Sequence, residues 1–126
     1  MEYEELTHQI IGCAYIVYKI LGFGFLESVY RKAMVIELIR AGLEVEEEKP
    51  LKVYYDGHVV GNFSADLVVD GSIVIELKSV QNLVKDHEVQ LVNYLNAIEE
   101  EIGLLINFGA SGVEVRRKYR QFSGNA

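Results

Sequence analysis

Asp66 and, ten residues further on, Glu76-Leu77-Lys78 put two carboxylates and one ammonium group into a stretch that reads as a β-hairpin. In the strand holding Ile73, Ile75 and Leu77, side chains alternate, so Val74, Glu76 and Lys78 share the opposite face. A carboxylate and a lysine thus end a strand whose other face is wholly apolar. Charges are rarely placed there without compensation. Carboxylate oxygens are the ligands that hard cations such as magnesium prefer. A lysine beside such a cation can stabilise charge on a phosphate or orient an attacking water. The competing reading is structural: Lys78 forms a salt bridge with one acid, and the surplus negative charge is relieved by a raised carboxylate pKa or by solvent.

The register of the hairpin decides whether the two acids can meet. A plain two-residue turn at Asp70-Gly71 would pair Val69 with Ser72 and set Asp66 opposite Ile75, on the wrong face. For Asp66 to meet Glu76, the loop must hold three residues, Asp70 to Ser72, or a bulge must intervene.

The elements that would position these groups follow from periodicity. Residues 4–21 read as a helix with Leu6, Ile10, Cys13, Ala14, Val17 and Leu21 on one stripe, stopped at Gly22-Phe23-Gly24. A second helix covers about 26–41, with Gly42 as its terminating glycine. Strands follow at roughly 44–55, 58–69 and 73–78, joined at Asp56-Gly57 and Asp70-Gly71. A third helix spans about 84–98. The run Ile102 to Phe108 reads as a short apolar, buried strand, and residues 113–119 as a last strand. The order is α-α-β-β-β-α-β-β. The helix between the third and fourth strands is a crossover, which predicts an α/β (α+β) fold with a mixed sheet flanked by helices.

Other chemistry-bearing residues are read against plainer roles. Glu27 opens the second helix, with Tyr30 on the same face three residues on. The plain account has Glu27 favouring the helix dipole and pairing with Arg31, and Tyr30 in the core. In the third helix Gln90 and Tyr94 are spaced i, i+4, and Gln90 borders or enters the apolar face marked by Leu91, Leu95 and Ile98. A buried glutamine amide must be hydrogen-bonded, to strand backbone or to a carboxylate or water in the site. Asp86 or His87 could cap the helix start, and no second histidine shares the face of His87. Cys13 is the only cysteine, which excludes an internal disulfide and a zinc cluster, and its apolar surroundings read as core.

The chain of 126 residues reads as one domain, 1–126, half of it hydrophobic and with no apolar run of the length a membrane span needs. The acidic start, Met1 to Glu5, argues against a signal peptide, so a cytoplasmic location is expected. A net charge of −7 is awkward for a nucleic-acid binder. The charge is uneven, however. Arg116, Arg117, Lys118 and Arg120 cluster near the end of the chain. That run is either a solvated strand edge that discourages aggregation or an edge that contacts phosphate.

Taken together, Asp66, Glu76-x-Lys78 and a downstream helix with Gln90 and Tyr94 resemble the PD-(D/E)XK nuclease superfamily. The segment Gly24-Phe25-Leu26-Glu27-Ser28-Val29-Tyr30 looks like the signature of the GxxExxY family within it. The resemblance extends through Ala65 to Val69, Val74 to Lys78, Gln90 to Leu95 and Gly103 to Gly109. It implies a restriction-endonuclease-like core and Mg²⁺- or Mn²⁺-dependent phosphodiester cleavage. It further implies that Asp66 and Glu76 hold the metal with the Leu77 carbonyl assisting, and that Glu27 binds it through water. Lys78 would position the attacking water or stabilise the developing phosphorane, and Gln90 and Tyr94 would support the site or contact substrate, with Tyr30 in a similar supporting place. The chain departs from the pattern at Ala65, where the superfamily's name suggests proline. It departs again at Phe23 and Tyr18, where the narrower family commonly has proline and histidine.

Two functions from different classes are therefore expected. One is a metal-dependent nuclease or phosphodiesterase acting on DNA or RNA. The other is a binding or assembly module that keeps the nuclease fold without catalysis, which the acidic charge favours. A homodimer could join two basic edges into one groove.

Overall fold

The computed structural model describes residues 2–121. Its elements are α1 (Tyr3–Leu21), α2 (Glu27–Arg40), β1 (Val45–Tyr55), β2 (His58–Val69), β3 (Ile73–Lys78), α3 (Lys85–Ile98), β4 (Ile102–Gly109) and β5 (Gly112–Tyr119). The five strands lie in the order β1-β2-β3-β4-β5, antiparallel except for the β3–β4 pair that α3 bridges. The fold is thus the expected α/β arrangement with a mixed sheet. Among the described residues no helix is long and apolar enough to cross a membrane.

Helix ends fall where the sequence places its stop signals. Glu4 and Glu5 lie in the first turn of α1 and Lys19 in its last, as the helix dipole favours. At the end of α2, Gly42 (φ 86°) donates to Ile39 O at 2.9 Å and Leu43 donates to Leu38 O at 3.1 Å. These two bonds make a Schellman motif, with Leu38 and Leu43 both in the core behind it.

Two apolar layers sandwich the sheet. α1 and α2 cover one face through Leu6, Ile10, Val17, Tyr30, Met34 and Leu38, which pack on Leu67, Ile75, Leu77, Leu104, Ile106 and Phe108. α3 covers the other through Leu91 and Leu95, against Ala65, Val68, Val74 and Leu105. Cys13 is buried in the first layer, where burial raises its thiol pKa, in keeping with a core role.

The hairpin that matters has the register the site needs. Val69 pairs with Ile73, Val68 with Val74 and Leu67 with Ile75, so Asp70, Gly71 and Ser72 form a three-residue loop. Asp70 (φ 51°) and Gly71 (φ 65°) take left-handed conformations, and Ser72 N–H closes the loop on Val69 O at 3.0 Å. One step beyond the last pair, Asp66 lies opposite Glu76.

Regular alternation fails at that same step. Ala65 packs under α3, yet Leu67, two residues on, packs under α1 and α2. The neighbouring strand slips with it, since Val45 packs with the first layer and Leu51 with the second. Between them Glu48 sits at φ 52°, and the β1–β2 pairing skips Glu48 and Asp66. The kink frees Asp66 from the ladder.

Candidate active site

Asp66 uses that freedom to accept a hydrogen bond through Oδ2 from the Leu77 N–H, 2.7 Å away. The carboxylate thereby closes the gap where β2 and β3 part. Glu76, on the adjacent strand, is part-buried, and its Oε1 is shut off from solvent with no hydrogen-bond partner. Burial, and then the negative charge of Asp66, push the Glu76 carboxyl up to about 8. Near neutral pH it therefore holds a proton unless a cation takes its place.

The N-terminus of α2 delivers a third acid. Ser79 Oγ donates to the Phe25 carbonyl at 2.8 Å, which ties the chain leaving β3 to the turn just before Glu27. Glu27 is the first residue of α2 and is part-buried. Burial raises its pKa, followed by the charge of Asp66, with Lys78 opposing. Its expected partner lies elsewhere. Arg31 bonds Glu47 through Nε at 2.9 Å and Glu48 through Nη2 at 3.1 Å, so the helix-local Glu27–Arg31 pair is not formed. β1 supplies stronger competitors than the helix neighbour does.

Among the described residues Lys78 enters no ion pair, so the structural salt bridge expected as the plain account of this cluster is absent. Its charge is nonetheless felt by both Glu27 and Glu76.

Behind the acids stand two tyrosines with different roles. Tyr30 is fully buried, donates its hydroxyl to Gly22 O, and stacks on Phe108 at 4.3 Å. It braces the turn before Glu27 and, being buried, cannot contact a substrate. Tyr94 stacks on Phe63 at 3.8 Å. Burial and then the charge of Glu76 raise its pKa. Gln90 departs from expectation: it is exposed, not part of the apolar face, because Leu91 and Leu95 alone are buried on α3. Its amide donates to Tyr94 Oη at 2.8 Å. His87 Nδ1 accepts the Val84 N–H at 3.2 Å and so acts as a helix-start bond, as its position suggested.

Two supports escaped the sequence reading. Asn107 is completely buried in β4, in a run that reads as apolar. Its side chain accepts from Val80 N–H and donates to Val80 O and to Glu114, each at 2.9 Å. Glu114 also accepts from the Leu83 N–H at 3.1 Å. The segment following Lys78 is thereby clamped. A lone amide inside an apolar strand was the available signal, since such a group must find partners. Tyr18 donates to Gly109 O at 2.6 Å, so the position where a histidine was expected is occupied by a brace at the end of β4.

The basic run is largely neutralised. Lys118 pairs with Glu88 at 2.7 Å, Arg120 with Glu101 at 3.3 Å and Arg116 with Glu114 at 3.8 Å, while Arg117 bonds Thr7 at 2.8 Å. This fits an edge strand guarded by charge better than a bare phosphate-contacting edge.

A hard divalent cation suits the donor set. Three carboxylates lie within electrostatic reach of one another, all donors are oxygen, and one buried acceptor lacks a partner. Among the described residues no three acidic, histidine or cysteine side chains converge as a ready-made cage. Mg²⁺ does not need one, because it keeps several waters and takes one or two carboxylates plus substrate phosphate.

The fold is similar to that in the crystal structure of SSO0001, with a TM-score of 0.57 and 21% identity, covering 97% of this chain and 62% of that one. This chain thus spans about three fifths of that protein's length. No curated protein matches it closely. The model of the PD-(D/E)XK nuclease superfamily, whose members typically use Mg²⁺ on nucleic acid, matches residues 4–118. That span takes in β1 to β4 whole and Glu27, Asp66, Glu76 and Lys78, and the chain belongs to the PD-(D/E)XK nuclease superfamily.

Proposed function

We propose that this protein is a Mg²⁺- or Mn²⁺-dependent nuclease, a GxxExxY member of its superfamily, hydrolysing phosphodiester bonds in nucleic acid. The observation that carries the reading is Glu76 Oε1, a buried acceptor without a partner beside a second carboxylate. Such an atom is costly to leave empty-handed, and a cation satisfies it.

Asp66 and Glu76 are the proposed direct ligands, with the Leu77 carbonyl alongside and Glu27 acting through water. Bound there, the metal would supply Lewis-acid stabilisation of phosphoryl charge and a more acidic water. The Leu77 N–H holds Asp66 in orientation through Oδ2 and leaves its other oxygen for the site. Lys78, with no acid paired to it, is available to a phosphoryl oxygen or to the attacking water. Tyr94, fixed by its stack on Phe63 and by Gln90, walls the site on the α3 side. Seven of the twelve lysines and arginines are already ion-paired, and this observation favours the second reading, a binding module that keeps the fold without catalysis.

The test is cleavage of DNA and RNA in Mn²⁺ or Mg²⁺ by wild type and by Lys78→Ala. Loss of the lysine is expected to lower the rate by about a hundredfold or more. Equal rates would remove the assignment. Calorimetric titration of Mn²⁺ into wild type and into Asp66→Ala with Glu76→Ala separates metal binding from chemistry. Heat that persists in the double variant would place the metal elsewhere.

A further inference from the structure

β1 and β2 are almost twice the length of β3, and only Leu67 to Val69 of β2 pair with it. Lys49 to Ala65 therefore form a two-stranded ribbon that runs on past the C-terminal end of β3, where Glu76 and Lys78 stand. The ribbon is rooted on the site itself. Its first inward residues, Ala65, Phe63 and Leu51, pack on α3, and Phe63 stacks on Tyr94. Beyond Phe63, residues 54–60 are all exposed. A two-stranded ribbon without a packed face is marginal in water.

Yet its tip is aromatic and apolar. Tyr54 is 61% exposed, Tyr55 75% and Val60 61%, and Val59 is exposed as well. Tyr54 lies opposite Val59 and Tyr55 opposite His58, so an aromatic ring stands on each face of the ribbon. A slip in the pairing at Val53/Tyr54 gives β2 one extra residue, Val60. Val59 lies seven steps before Asp66, which sets the tip about 23 Å along the strand from the acids.

The charge of the ribbon differs from that of the rest. Between Lys49 and Ala65 there are two lysines and one aspartate, in a chain whose net charge is −7. Among the described residues Lys52 enters no ion pair. Lys49 is paired with Glu46 just outside the ribbon, so the ribbon is a near-neutral, aromatic arm on an acidic molecule. With most cations elsewhere neutralised by acids, affinity for nucleic acid cannot rest on phosphate contacts alone. The remaining sequence-tolerant source of affinity is stacking of bases on aromatic rings, which needs bases free of a duplex.

We propose that Tyr54 and Tyr55, one on each face of the ribbon tip, form a two-sided stacking platform for unpaired bases, so that the substrate class of this site is single-stranded nucleic acid. This inference rests on the nuclease reading above for the direction in which the strand runs, from the ribbon tip toward Asp66 and Glu76. Lys52 contacts phosphate along the way. The platform deepens that reading by naming what it acts on, and it has its own readout.

The experiment is fluorescence anisotropy with Ca²⁺ in place of Mg²⁺. The probes are a labelled mixed-sequence DNA oligonucleotide and its blunt-ended duplex. Wild type is expected to prefer the single strand, with a log–log salt slope between about −1 and −2, the slope of two or three phosphate contacts. Tyr54→Ala with Tyr55→Ala is expected to weaken single-strand binding by roughly tenfold or more per lost stack, and Tyr54→Phe with Tyr55→Phe to bind like wild type. The exposure of both rings keeps the fold out of the comparison, and unchanged thermal unfolding of the alanine variant checks that.

Equal affinity for duplex and single strand, or an alanine variant that binds as well as wild type, overturns the platform. So does a change of sedimentation in that variant with binding intact, which would make the tip a contact between copies. Cleavage that depends on Lys78 but ignores the tyrosines overturns the platform and leaves the nuclease. Stacking-dependent binding without cleavage in Mg²⁺ does the reverse. Binding to neither probe removes both.

Discussion

Replacing Glu76 with glutamine is expected to stabilise the metal-free protein at alkaline pH and to abolish its response to Mg²⁺. Burial and the charge of Asp66 move the Glu76 carboxyl from 4.5 to about 8. Between those values the folded protein holds a proton that the unfolded chain has released. Stability is therefore greatest below the unfolded pKa, falls as pH rises toward the folded one, and levels off above it. At about 1.4 kcal/mol per pKa unit the full shift corresponds to on the order of 5 kcal/mol. Water entry around a part-buried side chain reduces the expected loss to about 3 kcal/mol. Glutamine keeps the volume and never ionises, so its profile over the same window is expected to be flat. Urea unfolding of both proteins from about pH 5 to about pH 9, in chelator and in excess Mg²⁺, reads this directly. Metal at about a hundredfold over its dissociation constant should return about 2.7 kcal/mol to wild type at alkaline pH and nothing to the variant. A wild-type stability that does not fall across the window, or a variant as pH-sensitive as wild type, would refute the reasoning.

Further predictions concern the scaffold. Asn107→Leu removes the partners of both Val80 backbone groups and one of Glu114. At about 1–3 kcal/mol for each buried group left unpaired, an overall loss of roughly 3 kcal/mol is expected in chemical unfolding. A loss under about 1 kcal/mol would show that the clamp is not needed. Gly109→Ala would bring its Cβ to 3.0 Å from Asn107 Nδ2 and Gln81 O and 3.1 Å from Gly112 O, two of them backbone atoms that cannot swing away. The expected cost is about 1–3 kcal/mol. Gly103→Ala meets only the Leu91 side chain, at 3.0–3.3 Å, which can yield, so its cost is expected to stay within about 1 kcal/mol. Thermal unfolding of the pair would count against this account if the two losses were equal.

Local signals gave the elements and their order. The Asp56-Gly57 and Asp70-Gly71 pairs mark turns because both residues of each take positive φ, which aspartate and glycine tolerate. Gly42 ends α2 for the same reason. The crossover between β3 and β4 follows from a helix standing between two strands; a meeting of Asp66 with Glu76 requires either a three-residue loop or a bulge, and the structure has the loop. Partners far apart in sequence were not legible. Helix spacing allows Arg31 to pair with Glu27, whereas Glu47 and Glu48 reach it from β1. Spacing has Gln90 border or enter the apolar face; the buried stripe of α3 is narrow and leaves it exposed.

The sequence by itself determined which groups this protein brings to its site, since carboxylate, lysine and amide chemistry is a property of residue type. It also determined the strands and helices that carry them, because periodicity and turn residues act over a few positions. Only the tertiary structure decided that β1 and β2 slip together at Glu48 and Asp66, turning the first acid out of the ladder and onto the Leu77 N–H. It alone buried Glu76 without a partner and left the ribbon of Tyr54 and Tyr55 bare. Strand kinks, burial and the supply of partners depend on segments remote in the chain, and no pattern within one segment reports them.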